Sequence, residues 1–398
     1  MRLYLTADQV GIETGGGLVT HHESEALKSL GPCEVVGRER LTNHPSGDPW
    51  CWDLHALARV RDWEQASVQG WMKWFSVVHC YAGTFSRTVE ELQERGCKVT
   101  YTAAAHSVED SRQAHLELGI PYDFPHLTDP EQWQRYLRGY LLADVLVCPS
   151  QHSAAVMRSF GRTGPIEIIP HGCDLPKCPT CCGSGDTAVR KYVATEVTIN
   201  SGMEKCWKCG GSGIAPVALQ PERFTVGYLG SYGPDKGVRY LLEAWKKLNY
   251  KDATLLLGGR DSQSPFVDAL INHFGGGNIE RVGWLDNVSE FYNRCSLYIQ
   301  PSVTEGFGIE VLEAMAHGRP VLASNGAGAS DVIPRTWRFA SKDANNLAFK
   351  IDMFRKYVMP HMEYDSPKNW WRDEANKYSW DVIRGKYVAM WQNLLGGK

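Results

Sequence analysis

Strand-length apolar runs alternate with stretches of helical period along this chain, and the alternation runs through twice. The first series has strand candidates at residues 3–6, 77–80, 98–101 and 144–147, with helical stretches at 22–30, 88–96, 111–118 and 131–142. The second begins near Phe224, with strand candidates at 225–229, 253–257, 280–282, 296–300 and 320–324. Helices at 237–248 and 288–293 and a helical element over 305–317 separate these strands. A helix between successive strands is the crossover that parallel pairing requires, so each series predicts a parallel sheet with helices on both faces. A length of 398 residues suits two such doubly wound α/β domains. Ligands of these folds sit beyond the carboxyl ends of the strands, here in a cleft between domains. A last helix is expected at 380–394, with Ser379 as its N-cap.

Hydrophobic residues make up 43% of the chain and charged residues 22%, the balance of an ordinary globular protein. A net charge of −3 gives no global attraction to nucleic acid or anionic membrane. No apolar run approaches the ~20 residues that span a bilayer. The first residues enter a strand-like run with no apolar leader pattern, so a cytoplasmic protein is expected, with peripheral membrane contact left open.

Of the 12 cysteines, six lie between Cys173 and Cys209. Residues 178–185 and 206–213 are both C-x2-C-x-G-x-G, with 24 residues between Cys181 and Cys206. Two C-x2-C pairs at such a spacing suit a tetrahedral four-thiolate zinc site, with Cys178, Cys181, Cys206 and Cys209 as ligands. Cys173 and Cys182 are spare thiols, and disulfides are the rival reading. A closed four-thiolate site is structural, since it keeps no open position for chemistry. The repeated pattern resembles one zinc centre of the DnaJ cysteine-rich domain. Between the pairs, residues 190–199 alternate well enough to form a strand or hairpin arm.

Residues 302–331 read S-V-T-E-G-F-G-I-E-V-L-E-A-M-A-H-G-R-P-V-L-A-S-N-G-A-G-A-S-D. Glu305 stands in a glycine-bearing loop and Glu313 in the helix that follows. Glycines let a backbone approach a ligand closely, and a helix start offers free N–H groups to an anion. The stretch resembles the E-x7-E motif of retaining GT-B glycosyltransferases, family 4 in particular. Four further segments resemble that family in order: residues 143–150 (A-D-V-L-V-C-P-S), 169–174 (I-P-H-G-C-D), 226–237 (V-G-Y-L-G-S-Y-G-P-D-K-G), and 282–285 (V-G-W-L) with the helix from Val288, which resembles the segment flanking the base.

The resemblance implies two Rossmann-like domains facing a cleft, at residues 1–172 (acceptor) and 222–378 (donor). A zinc-binding insertion at 173–221 and a helix at 379–398 that crosses back to the first domain complete the expected layout. It implies that Glu313 takes the ribose hydroxyls of a nucleoside-diphosphate sugar and that Glu305 faces the transferred sugar. Gly306, Phe307 and Gly308 contact sugar and phosphate, and Lys236 neutralises the diphosphate. His106 stands near the donor sugar, and a loop at Gly15, Gly16 and Gly17 closes on the diphosphate or shapes the acceptor pocket; His21 and His22 beside it are weaker candidates for acceptor contact. Ser231 occupies a position where the family usually has Arg, and Arg239 or Arg260 is available to compensate. Glu310 reads as a solvated acid.

The expected activity is retaining transfer of a sugar to an acceptor hydroxyl of a sugar, a lipid-linked group or a protein. No D-x-D motif calls for a divalent cation, so metal-independent chemistry is expected. Two alternatives stay open at this level: a GT-B epimerase, and a weakened scaffold acting as an adapter through its zinc insertion.

Overall fold

The structure is a computed structural model that describes residues 2–6, 15–36, 56, 76–81, 85–122, 130–177, 184, 186–191, 200–205, 221–362 and 369–396. Its first sheet has the order β2-β1-β3-β4-β5-β6, all parallel, from β1 (Arg2–Thr6), β2 (Cys33–Val36), β3 (Val77–Tyr81), β4 (Lys98–Thr102), β5 (Val145–Cys148) and β6 (Ile166–Ile168). The helices of this domain are α1 (Gly15–Ser29), α2 (Ser86–Glu94), α3 (Val108–Glu117), α4 (Pro130–Leu142) and α5 (Gln151–Ser159). Strands β3 and β4 are buried on both faces apart from Lys98, with His79, Thr100 and Thr102 among their buried side chains.

The second sheet is also parallel. Its strands are β9 (Phe224–Leu229), β10 (Ala253–Gly258), β11 (Ile279–Gly283), β12 (Leu297–Gln300), β13 (Val321–Ser324) and β14 (Arg338–Phe339), in the order β11-β10-β9-β12-β13-β14. Counted within the domain this is 3-2-1-4-5-6, so the strand order reverses between β9 and β12. Its helices are α6 (Val238–Leu248), α7 (Pro265–Phe274), α8 (Val288–Arg294), α9 (Ile309–Ala316), α10 (Ala344–Met353) and α11 (Trp370–Asn376). Side-chain caps set several helix starts: Ser107 accepts from Asp110 N–H, Ser150 from Ser153, Ser264 from Val267 and Asp343 from Asn346.

Between the domains, β7 (Asp186–Lys191) and β8 (Asn200–Lys205) form an antiparallel hairpin with Asp186 opposite Lys205. Cys178, Cys181, Cys182, Cys206 and Cys209 lie outside the described residues. Cys173 is described. It is buried against α11, its N–H bonds Tyr378 O at 3.0 Å, and burial pushes its thiol up to about 12.

The helix at the end of the described chain, α12 (Trp380–Gly396), packs on α1 of the first domain. Its Tyr387 and Trp391 enter a polar cluster closed to solvent. Glu23 accepts hydrogen bonds from the Tyr4 hydroxyl (2.7 Å), the Thr102 hydroxyl (2.9 Å) and the Tyr387 hydroxyl. His79 Nε2 lies 3.1 Å from the same carboxylate, and Trp391 donates to Thr100 Oγ1 at 3.0 Å. Burial opposes the Glu23 charge, but His79 and the hydroxyl donors outweigh it and hold the carboxyl below its usual range. His22 belongs to this helix contact too. It stacks on Trp380 at 4.2 Å and bonds Arg384, so it is a packing residue, not the acceptor contact its sequence position suggests.

The cluster yields a stability prediction. Glu23→Ala leaves a buried imidazole and three hydroxyls without their acceptor and should cost about 3–5 kcal/mol. Tyr387→Phe removes one donor and should cost about 1 kcal/mol. Urea unfolding followed by circular dichroism checks both, and equal effects would count against the cluster.

Candidate active site

The site forms where the second sheet reverses its strand order. Beyond β9 come Gly230 and Ser231, then a single 3₁₀ turn, Pro234–Lys236. Beyond β12 comes the loop that carries Glu305, and α9 follows it. Val303 N–H bonds Asp235 O at 2.7 Å, which ties the two loops together. That tie brings Lys236 to Glu305, with Nζ 2.5 Å from Oε1. The other carboxylate oxygen accepts from Gln300 Nε2 (2.9 Å) and Ser302 Oγ (2.7 Å). Burial raises the Glu305 pKa, but Lys236 and these donors overcome it and keep the carboxyl ionised. For Lys236, burial works against the charge, and Glu305, Glu310 and Asp235 outweigh it.

The glycines of this loop have distinct reasons. A Cβ on Gly306 would lie 2.4 Å from Ala104 O of the first domain, so only glycine allows this approach. Gly308 has φ +97°, a left-handed turn at the start of α9. Ser150 Oγ donates to Gly306 O at 2.7 Å, and Ser107 N–H donates to Thr304 Oγ1 at 2.8 Å. Phe307 is buried with its ring at 5.3 Å from His171, edge to face.

Two cavities meet here. One, about 290 Å³, is walled by His106, His171, Lys236, Glu305, Gly308 and Glu310. The other, about 380 Å³, is walled by Gly230, Ser231, Arg260, Trp284, Glu310 and Glu313. Glu313 accepts from the Tyr292 hydroxyl at 2.8 Å, and burial raises its pKa. Trp284 is 57% exposed at the rim, with the Arg260 guanidinium 4.9 Å from its ring centroid. A third hollow, about 600 Å³, reaches Glu313 from the other side between Asp174, Lys177 and Arg372.

The expected site residues therefore converge in part. Lys236, Glu305, Gly306, Phe307, Gly308 and His106 line one cavity, and Ser231 and Glu313 line its neighbour. Gly15, Gly16 and Gly17 form the first turn of α1 and not a loop, because the helix extends seven residues upstream of the expected start at His22. Arg239 is bound to Glu117 and Glu243, whereas Arg260 faces the cavity with Ser231, so Arg260 is the cation placed beside it. Glu310 is not a solvated acid. It borders both cavities, and burial together with the Glu305 charge raises its pKa to about 7. His171 was readable only as the histidine of I-P-H-G; its burial over Phe307 comes from the fold, and burial lowers its pKa to about 4.

The sequence profile described as Glycosyl transferases group 1 matches residues 223–354, a span inside the second domain. An uncharacterised glycosyltransferase of Methanocaldococcus jannaschii is 27% identical over 190 residues, which cover 44% of this chain and 46% of that protein. The chain thus spans about half the length of this curated relative. Among solved structures, sucrose-phosphate synthase from Thermosynechococcus elongatus superposes with a TM-score of 0.68 at 18% identity, over 100% of both chains. HepE of Anabaena in complex with UDP and glucose gives 0.61 at 17% identity, over 99% of this chain and 100% of that one. The fold is therefore GT-B: two parallel-sheet α/β domains with a cleft at the ends of their strands.

Glu310 makes a pH prediction. Its folded pKa of about 7 stands above the ordinary 4.5, so between these values the folded state holds a proton that the unfolded state has lost. The group's contribution is fully present below pH 4.5 and is lost as pH rises through about 7. Glu310→Gln should match the parent near the lower pH and exceed it by about 1–3 kcal/mol at high pH. Denaturation midpoints across the range test this; parallel curves for the two proteins would refute it.

Proposed function

We propose that this chain is a retaining glycosyltransferase of the family 4 type, which moves a sugar from a nucleoside-diphosphate sugar to an acceptor hydroxyl. The observation that carries the reading is the Lys236–Glu305 pair at the strand-order reversal, in a cavity that shares a wall with that of Glu313. Its support also includes the profile match in the second domain and the UDP named in the HepE structure. In this reading Glu313 accepts hydrogen bonds from ribose hydroxyls, which are charge-assisted when the carboxyl is ionised. Lys236 and Arg260 face the diphosphate, and the Gly306–Gly308 backbone closes on the sugar.

The reaction breaks the anomeric C–O bond to the phosphate and forms one to the acceptor oxygen on the same face. The acceptor's proton passes to the departing phosphate oxygen. Negative charge grows on that oxygen, and fixed cations stabilise it where it develops. Glu305 holds the Lys236 ammonium in place, which makes it a positioning group as well as a contact to the sugar. The acceptor supplies a hydroxyl group. Among the described residues no helix is long and apolar enough to cross a membrane, and the proposed setting is the cytoplasm.

The insertion at 173–221 is proposed to hold structural zinc through Cys178, Cys181, Cys206 and Cys209. Support comes from the hairpin register: Asp186 and Lys205 are opposite each other, and Cys181 and Cys206 adjoin them in sequence by five residues and one. Bound zinc would cross-link the segment, and these thiolates would be its ligands.

Thermal shift with UDP, GDP, ADP, CDP and TDP tests the donor site. One nucleotide should raise the melting temperature, and Glu313→Ala should weaken it about tenfold or more. Glu305→Ala should reduce turnover more than nucleotide affinity; full transfer by both variants would remove the assignment. For the insertion, about one zinc per chain is expected by elemental analysis. Cys178→Ser with Cys206→Ser should lose that zinc and melt earlier, and unchanged zinc content would exclude these ligands.

A further inference from the structure

A separate cavity of about 200 Å³ lies in the first domain behind His106, walled by Trp133, Tyr136, Leu137, Tyr140, Met157 and Phe160. Its walls are largely aromatic. Trp133 and Tyr136 stack at 5.6 Å with 13° between their planes, and Phe160 meets Trp133 edge-on at 5.0 Å. The hydroxyls in the wall are already engaged. Those of Tyr136 and Tyr140 bond each other, and that of Thr102 donates to Glu23. Away from His106, a polyol entering between the aromatic walls would find few partners for its hydroxyls, at a cost for each. A flat apolar ring would lose nothing and would gain offset or edge-on contacts with the aromatic walls. Size agrees, since an apolar cavity of about 150 Å³ takes benzene and a slightly larger one takes a substituted ring.

Ala104 and His106 border this cavity and also the one that holds Lys236 and Glu305. The two spaces are therefore neighbours across a single short segment after β4. We infer that this cavity is an acceptor subsite for a flat, apolar ring, whose attached hydroxyl emerges at His106 beside the transferred sugar. The inference rests on the transferase reading above. It names the acceptor class as an alcohol or phenol borne on an aromatic ring, and it gives His106 the task of holding that hydroxyl. Burial lowers the His106 pKa and favours a neutral imidazole, whose N–H can donate to the hydroxyl oxygen and leave that hydroxyl's proton for the phosphate. The new glycosidic bond forms from that oxygen while the sugar–phosphate bond breaks, and the proton leaves with the phosphate.

The test uses the full chain and benzyl alcohol as probe, followed by saturation-transfer NMR, with 1-hexanol and glucose as comparators. Benzyl alcohol should bind saturably and at least about tenfold more tightly than either comparator. Leu137→Trp fills the cavity and should weaken benzyl alcohol about tenfold while the nucleotide thermal shift persists. No saturable binding, equal binding by Leu137→Trp, or hexanol binding as tightly would overturn the inference. Should Leu137→Trp fail to fold, Phe160→Ala enlarges the space and should shift preference toward 2-naphthalenemethanol; an unchanged preference overturns it equally. A parent protein that binds nucleotide but not benzyl alcohol removes the ring subsite alone. One that binds benzyl alcohol without any nucleotide shift removes the transferase reading, and the acceptor assignment with it.

Discussion

The contact of Gly306 with the first domain is the constraint on which the rest of the cleft depends. Its carbonyl takes the Ser150 hydroxyl, and its missing Cβ leaves room for the Ala104 carbonyl. The loop that carries Glu305 is fixed from both sides, by its own domain through Val303 and Asp235 and by the opposite one through Ser150 on Gly306 and Ser107 on Thr304. A Cβ at that position would lie 2.4 Å from the Ala104 carbonyl oxygen, so the loop or the opposing segment would have to shift. The site is thus assembled by domain contact as much as by either sheet.

The electrostatics of the cleft follow from how few cations it holds. Among the described residues that wall the two adjoining cavities, the basic side chains other than histidine are Lys236 and Arg260, against Asp235, Asp261, Glu305, Glu310 and Glu313. Lys236 is committed to Glu305 in this structure. A raised Glu310 pKa is the natural relief of that crowding, because a neutral acid removes one repulsion without moving any atom. An anionic ligand would enter a space whose negative charge has already been reduced.

Much of the fold was legible in the sequence, for a physical reason. Strands such as Ala253–Gly258 and Leu297–Gln300 are buried on both faces, so they appear as unbroken apolar runs. Cys33–Val36, Ile166–Ile168 and Arg338–Phe339 escaped notice because they are short, lie at or near sheet edges, and carry an inserted charge. In the site, Glu305, Glu313 and Lys236 stood out because a local motif holds them. Glu310 and His171 did not, because their burial is created by segments distant in sequence. The choice between Arg239 and Arg260 likewise needed Glu117, which reaches Arg239 from the other domain. The aromatic cavity behind His106 had no local signature, since it is drawn from β4, α4 and α5 together.

The buried Glu23 cluster carries a consequence for the order in which this molecule can be made. Tyr387 and Trp391 complete the interior of a domain whose other parts precede Cys173. During synthesis the first domain therefore emerges with Glu23 and His79 still lacking two of their partners, and the insertion and the entire second domain must follow before these arrive. Domains commonly fold as units from the N-terminus onward, but this one can reach its final state only after its neighbour has left the ribosome. Completion of the first domain thus waits for α12, which follows the second domain in the sequence.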